Sequence, residues 1–180
     1  MKEHQVILNV LDALEEFTQQ LEANHRPVLA DLDRFAYFFQ QYADKYHHAK
    51  EEDHLFAEMV KAGFPGEQGP IGAMLVEHEE GRRLVARMQA ASSFEHPLEQ
   101  AKLDRLVQDL TVFVELLRGH IYKEDQILYP MALNAVDDSA LAAMENEFDH
   151  QEKVAQGNGQ LEAMTKSAET LMNRYVAVNS

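Results

Sequence analysis

The chain carries one pattern twice. HHAKEEDHLF at 47–56 returns 73 residues later as HIYKEDQILY at 120–129, and Glu3-His4 returns 74 residues later as Glu77-His78. Within each half the two histidines keep their separation: 43 residues from His4 to His47, and 42 from His78 to His120. Each second histidine is followed four residues on by a glutamate, Glu51 and Glu124. A fold that accommodates this duplication places two equivalent hairpins together.

The spacing of apolar residues makes those hairpins helical. Ile7, Val10, Leu11, Leu14, Phe17 and Leu21 recur at intervals of three and four, one stripe of an amphipathic helix. A second helix is expected to open with Pro27 in its first turn, where the missing N–H costs nothing, and to run to about residue 62. Gly63 reads as its C-terminal cap and 63–70 as a loop. A third helix is expected over about 71–90 and a fourth from Leu98 to about Leu128, stopping before or near Pro130. Asp137 or Asp138 caps a fifth segment reaching toward Tyr175, with an interruption at Gly157-Asn158-Gly159. Nothing resembles a strand pair. The economical fold is all-α: an antiparallel up-down-up-down four-helix bundle over 1–135, with a C-terminal helical extension over 136–180 packed on or beside it.

In a helical hairpin, residues equidistant from the turn lie at one height. The midpoint of His4 and His47 falls next to Pro27, and that of His78 and His120 just after Pro97. Four imidazoles, one per helix, therefore meet at a single level. Residues four apart share a helix face, so Glu51 and Glu124 point inward with them. Two buried carboxylates without counter-charge would cost several kcal/mol each, and a pair of cations supplies that charge. Nitrogen and carboxylate donors without thiolate suit iron, manganese or zinc, in a dinuclear site.

Composition narrows the role. With 31 acidic residues against 16 basic ones the formal charge is −15, which repels phosphate backbones and anionic lipid; neither nucleic acid nor a membrane surface is an expected partner. The absence of cysteine excludes disulfides, thiolate catalysis and Cys-ligated metals. The opening residues carry acids and no long apolar block, so no signal peptide or membrane span is expected and the location reads as cytoplasmic.

With the opening Glu-His, HHAKEEDHLF, VEHEEGR (76–82) and HIYKEDQILYP (120–130), the chain resembles the hemerythrin-like HHE cation-binding family over about residues 2–131. The resemblance implies a four-helix bundle around two non-heme iron ions; the donor set would also take manganese or zinc. The resemblance further implies His4, His47, His78 and His120 as terminal ligands and Glu51 and Glu124 as bridging carboxylates. Oxygen-carrying members use a fifth histidine one turn before the third-helix ligand, where this chain has Met74, and space the fourth-helix His and acid by five rather than four. Reversible oxygen transport is thus disfavoured, and one ion should be less saturated by protein.

Three residues have more than one reading. His48 is a fifth nitrogen ligand by analogy with relatives, or a surface histidine about 100° around the helix from His47, the reading slightly preferred. His54, about 20° from His47 on a helical wheel, faces inward as a partner of a ligand, or is a satisfied core histidine. Glu77 hydrogen-bonds a ligand imidazole or supplies a spare carboxylate, against the preferred reading of a solvated acid. His25 lies some 31 Å of helix from His4, too far to share the site. Glu58 reads as a partner of His54 or a solvated acid.

The expected function is a metal protein that binds or senses a small molecule (oxygen, nitric oxide or peroxide) in stress response or iron handling. The alternatives are a redox enzyme at the same centre, breaking down peroxide, reducing nitric oxide or acting as a ferroxidase, and a structural bundle with a vestigial site. The acidic surface and the extension are compatible with a homodimer.

Overall fold

The computed structural model describes residues 2–176, and among these every regular element is helical. Helix α1 covers Lys2–Glu22. A second rod starts as α2, Asp31–Phe38, passes through π-helical segments at Phe39–His48 and Glu51–Leu55, and ends as α3, Phe56–Lys61. Helix α4 spans Gly69–Ala91. The fourth rod is α5, Gln100–Lys123, a π-helical turn at Glu124–Leu128, and α6, Tyr129–Ala135. Helices α7, Asp138–Gly157, and α8, Gln160–Tyr175, follow. No helix among the described residues is long and apolar enough to cross a membrane.

The apolar stripe expected on α1 lies in the bundle core: Ile7, Val10, Leu11, Leu14 and Phe17 are fully buried. They meet Leu32, Phe35 and Phe39 from the second rod, Leu84 and Met88 from α4, and Leu110 and Phe113 from α5 in the main core. A smaller apolar cluster holds Leu55, Phe56, Met59, Ile71, Met74, Leu128 and Ala132. Along the second and fourth rods and α4, the histidines and acids of the repeat fall between these two clusters. That placement puts a polar layer between two apolar ones.

Two boundaries differ from the sequence expectation. Pro27 does not open the second rod; Asn24 and Arg26 both take positive φ, and the chain stays irregular until Asp31. The fourth rod does not stop at Pro130, because the proline falls in the first turn of α6 beyond the π turn, where a missing N–H is tolerated. The interruption after Gly157 is present, with Gly159 in the left-handed region at φ 74°.

Helix α8 inserts Met164, Ala168, Leu171 and Tyr175 into the main core beside α1 and α2, with the Tyr175 ring 5.4 Å from Phe17 and 5.9 Å from Phe35. Its anchor is Asp31, fully buried, which accepts hydrogen bonds from Arg34, from Arg174 and from the Tyr175 hydroxyl at 2.8 Å. Asp31→Ala leaves that buried hydroxyl without an acceptor and frees the end of α8. The expected cost is about 2–4 kcal/mol in urea unfolding. An unchanged midpoint would show that packing alone holds α8.

Candidate metal centre

The four repeat histidines lie at one level. His4 Nε2 is 3.0 Å from His47 Nε2, and His78 Nε2 is 3.1 Å from His120 Nε2. All four are buried, as are Glu51 and Glu124. The donor atoms fall into two sets, each within 4.8 Å: His4, His47 and Glu124 in one, and His48, Glu51, His78 and His120 in the other. Glu124 reaches both, with Oε1 2.8 Å from His120 Nε2 and Oε2 3.1 Å from His4 Nε2. Glu51 Oε2 lies 3.6 Å from His78 Nε2, and its other oxygen accepts from the Tyr129 hydroxyl at 2.7 Å.

Each of these imidazoles is held from behind by an acid. His4 Nδ1 is 3.0 Å from Asp125, His47 Nδ1 2.8 Å from Glu3, His78 Nδ1 2.6 Å from Glu52 and His120 Nδ1 2.8 Å from Glu77. An ionised carboxylate only accepts, so every Nδ1 donates; each Nε2 is left facing inward, to offer a lone pair to a cation or, at His120 in the metal-free chain, a proton to Glu124. The arrangement obeys the repeat: Glu3 binds His47 and Lys50, while its counterpart Glu77 binds His120 and Lys123. Glu52 behind His78 matches Asp125 behind His4, and Arg82 adds a contact to Glu52 at 2.8 Å. Carboxylates behind imidazoles are the standard means of fixing the tautomer and raising the basicity of a metal ligand.

The interior is consequently crowded with inward-facing nitrogen and oxygen atoms. Both oxygens of Glu124, Oε2 of Glu51 and both ring nitrogens of His48 are buried without a hydrogen-bond partner among the described residues. Burial and the neighbouring Glu124 push Glu51 well above the usual carboxylate range. Burial also acts upward on Glu124, but His120 and His4 outweigh it and hold that carboxyl low. Burial with nearby imidazoles lowers His78 to about 2 and His48 to about 4. His120 runs the other way: Glu124 and Glu77 overcome its burial and raise it to about 9. Cations would take the Glu51 and Glu124 oxygens and one ring nitrogen of His48, whose Nδ1 lies 3.7 Å from Asp44 Oδ1. A nitrogen–nitrogen distance of 3.0 Å is also what two adjacent donors at about 2.1 Å from one ion produce. The residues present therefore fit a pair of iron, manganese or zinc ions.

Two positions break the symmetry. His48 occupies the place held by Ile121 in the second half and is 7% exposed, its ring stacked 3.8 Å from His78. The wheel argument that sent it outward assumes α-helical phase. The π-helical segment ending at His48 widens the turn, so His47 and His48 both face inward. Tyr129 matches Phe56; the two rings stack on His4 and His78 respectively, yet only Tyr129 brings a hydroxyl, 3.3 Å from His4 Nε2.

The same change of phase removes His54 from the site: it is half-buried, its Nε2 2.9 Å from Gln151 Nε2 and its ring near Phe148 of α7. Glu77 is not a free solvated acid but the partner of His120. His25 is exposed in the loop after α1, and Glu58 pairs with Lys61. Glu3, Glu52, Asp125 and Tyr129 were missed by the sequence reading. The three acids had a usable signal, since each recurs as an acid in the other half.

The sequence model of the hemerythrin HHE cation-binding domain matches residues 1–132. Three uncharacterized proteins, one from Mycobacterium bovis and two from strains of Mycobacterium tuberculosis, are 25% identical over 153 residues. The match covers 84% of this chain but 59% of theirs, so the chain spans about three-fifths of the length of those relatives. No solved structure matches significantly.

Proposed function

The chain belongs to the hemerythrin HHE cation-binding domain family, and we propose that it is a di-iron protein whose centre binds or senses a small molecule such as oxygen, nitric oxide or peroxide. The observation behind this reading is the pair of buried donor sets, with Glu51 Oε2, the Glu124 oxygens and His48 lacking a hydrogen-bond partner among the described residues, in a layer between two apolar clusters. We read the rods as an antiparallel up-down-up-down bundle, which is the topology that brings one histidine from each to the same height. The location we assign is the cytoplasm.

His48, His78 and His120 would hold one ion, His4 and His47 the other, with Glu51 and Glu124 spanning both. A pair of bound irons supplies one-electron chemistry toward small oxygen or nitrogen species. The protein's own part is positional. Glu3, Glu52, Glu77 and Asp125 orient the rings, and Tyr129 pins Glu51 by its hydrogen bond. The unequal donor sets, three imidazoles against two, leave the His4–His47 side as the one with fewer protein nitrogens.

Anaerobic loading with ferrous ion followed by stopped-flow mixing with oxygen, nitric oxide or peroxide tests this. About two irons per chain and a long-lived adduct are expected. Repeated turnover without an adduct would replace the binding role by a redox enzyme, and failure to retain metal would leave only a structural bundle.

A further inference from the structure

Beside the three-imidazole side lies a cavity of about 360 Å³ between α4, α5 and the π-helical segment at 39–48. Its floor is His48, His78 and His120, and its walls include Phe39, Val85, Phe113 and Leu117. We propose that this cavity binds an uncharged organic molecule with an apolar body and one oxygen-bearing head, the head seated toward the three imidazoles. The inference rests on the proposed metal reading and adds to it a ligand class larger than a diatomic.

Size is the first reason. A water-sized ligand needs on the order of 30 Å³, so a diatomic or peroxide would leave this space mostly empty. Volumes of about 300–1,000 Å³ with apolar walls and a few convergent polar groups are those of organic-ligand sites. Charge is the second. The ionised groups at the rim are already paired: Arg82 with Asp44 at 2.9 Å and with Glu52 at 2.8 Å, and Glu77 with Lys123. None is left over to recognise an ionic ligand by pairing, except the exposed Lys45, which faces solvent.

The third reason is Gly81, in the middle of α4 and on the cavity wall. An interior helical glycine costs about 1 kcal/mol relative to alanine. No positive φ requires it, and a Cβ there would meet nothing within 4 Å. By the repeat, its counterpart in the first half is Ile7, whose side chain is fully buried in the core. One half fills this position and the other leaves it open, beside the ring of imidazoles.

The test uses the full chain carrying its metal, with straight-chain alcohols from ethanol to 1-hexanol as probes in calorimetry. Affinity should rise with length by about fourfold per methylene until the cavity is filled. In iron-loaded protein, the proton signals of the hydroxyl-bearing carbon should broaden more than those of the terminal methyl. Gly81→Leu, which projects into open space and so should fold, is expected to weaken 1-hexanol at least tenfold with metal content unchanged. Gly119→Leu, an equally unobstructed helical glycine outside the cavity, should leave it unaltered. Absence of 1-hexanol binding by metal-replete protein, or equal binding by Gly81→Leu, overturns the proposal while sparing the metal reading. Loss of metal from the parent protein overturns the reading beneath it.

Discussion

His120→Ala is expected to lower bound metal from about two ions per chain to one or fewer, measured by elemental analysis after dialysis. His120 Nε2 lies 3.1 Å from His78 Nε2 and 2.8 Å from Glu124 Oε1, so its removal takes a nitrogen from one donor set and the alignment from a carboxylate that reaches both sets. Outer partners of metal ligands typically account for 10- to 100-fold in affinity. Glu77→Gln, which weakens the hold on His120 Nδ1, should fall in that range, and loss of the imidazole itself should exceed it. His25→Ala, in the exposed loop after α1, should keep full stoichiometry. Two retained ions in His120→Ala would remove His120 from the donor set, and loss of metal in His25→Ala would break the argument from height.

That argument from height was legible because it needs little: a duplicated spacing, a turn at each midpoint, and residues four apart on one face. His4, His47, His78 and His120 do meet, with Glu51 and Glu124 among them. What the spacing could not convey was phase. A wheel drawn at about 100° per residue assumes an unbroken α-helix. The π-helical segments at 39–48 and 51–55 add residues to their turns, which brings His48 inward beside His47 and moves His54 toward α7. The apolar spacing in those segments does not mark a π turn in advance; such turns are frequent at functional sites, and the one ending at His48 leaves two consecutive histidines buried. The acids behind the imidazoles failed to register for another reason. Glu3, Glu52 and Asp125 each look like solvated charges when taken singly, and only their recurrence in both halves singles them out. Tyr129 differs again: its meaning lies in the contrast with Phe56, which becomes visible once both rings are seen stacked on equivalent histidines.

Glu51→Gln should change the sign of its effect with metal. In the metal-free protein Glu51 is buried beside Glu124, and its carboxyl is held well above the usual carboxylate range. A raised folded pKa means that the native state binds the proton more tightly than the unfolded chain. Stability from this group therefore falls as pH rises from about 4.5 toward the folded value. A neutral amide removes that slope. It also keeps an oxygen to accept from the Tyr129 hydroxyl, now 2.7 Å from Glu51, so the local packing survives. At pH 7 the metal-free variant should accordingly be more stable than the metal-free parent, by on the order of 2 kcal/mol and several degrees in Tm. Metal reverses the order, because ions stabilise only the chain that can hold both, by an amount that grows with the logarithm of their concentration over Kd. Paired thermal melts with chelator and with ferrous ion under argon read both signs. If the variant is the less stable in both conditions, Glu51 is a structural acid that the fold requires for itself. The crossing of the two curves is the signature of a carboxylate buried at a cost that only a cation offsets.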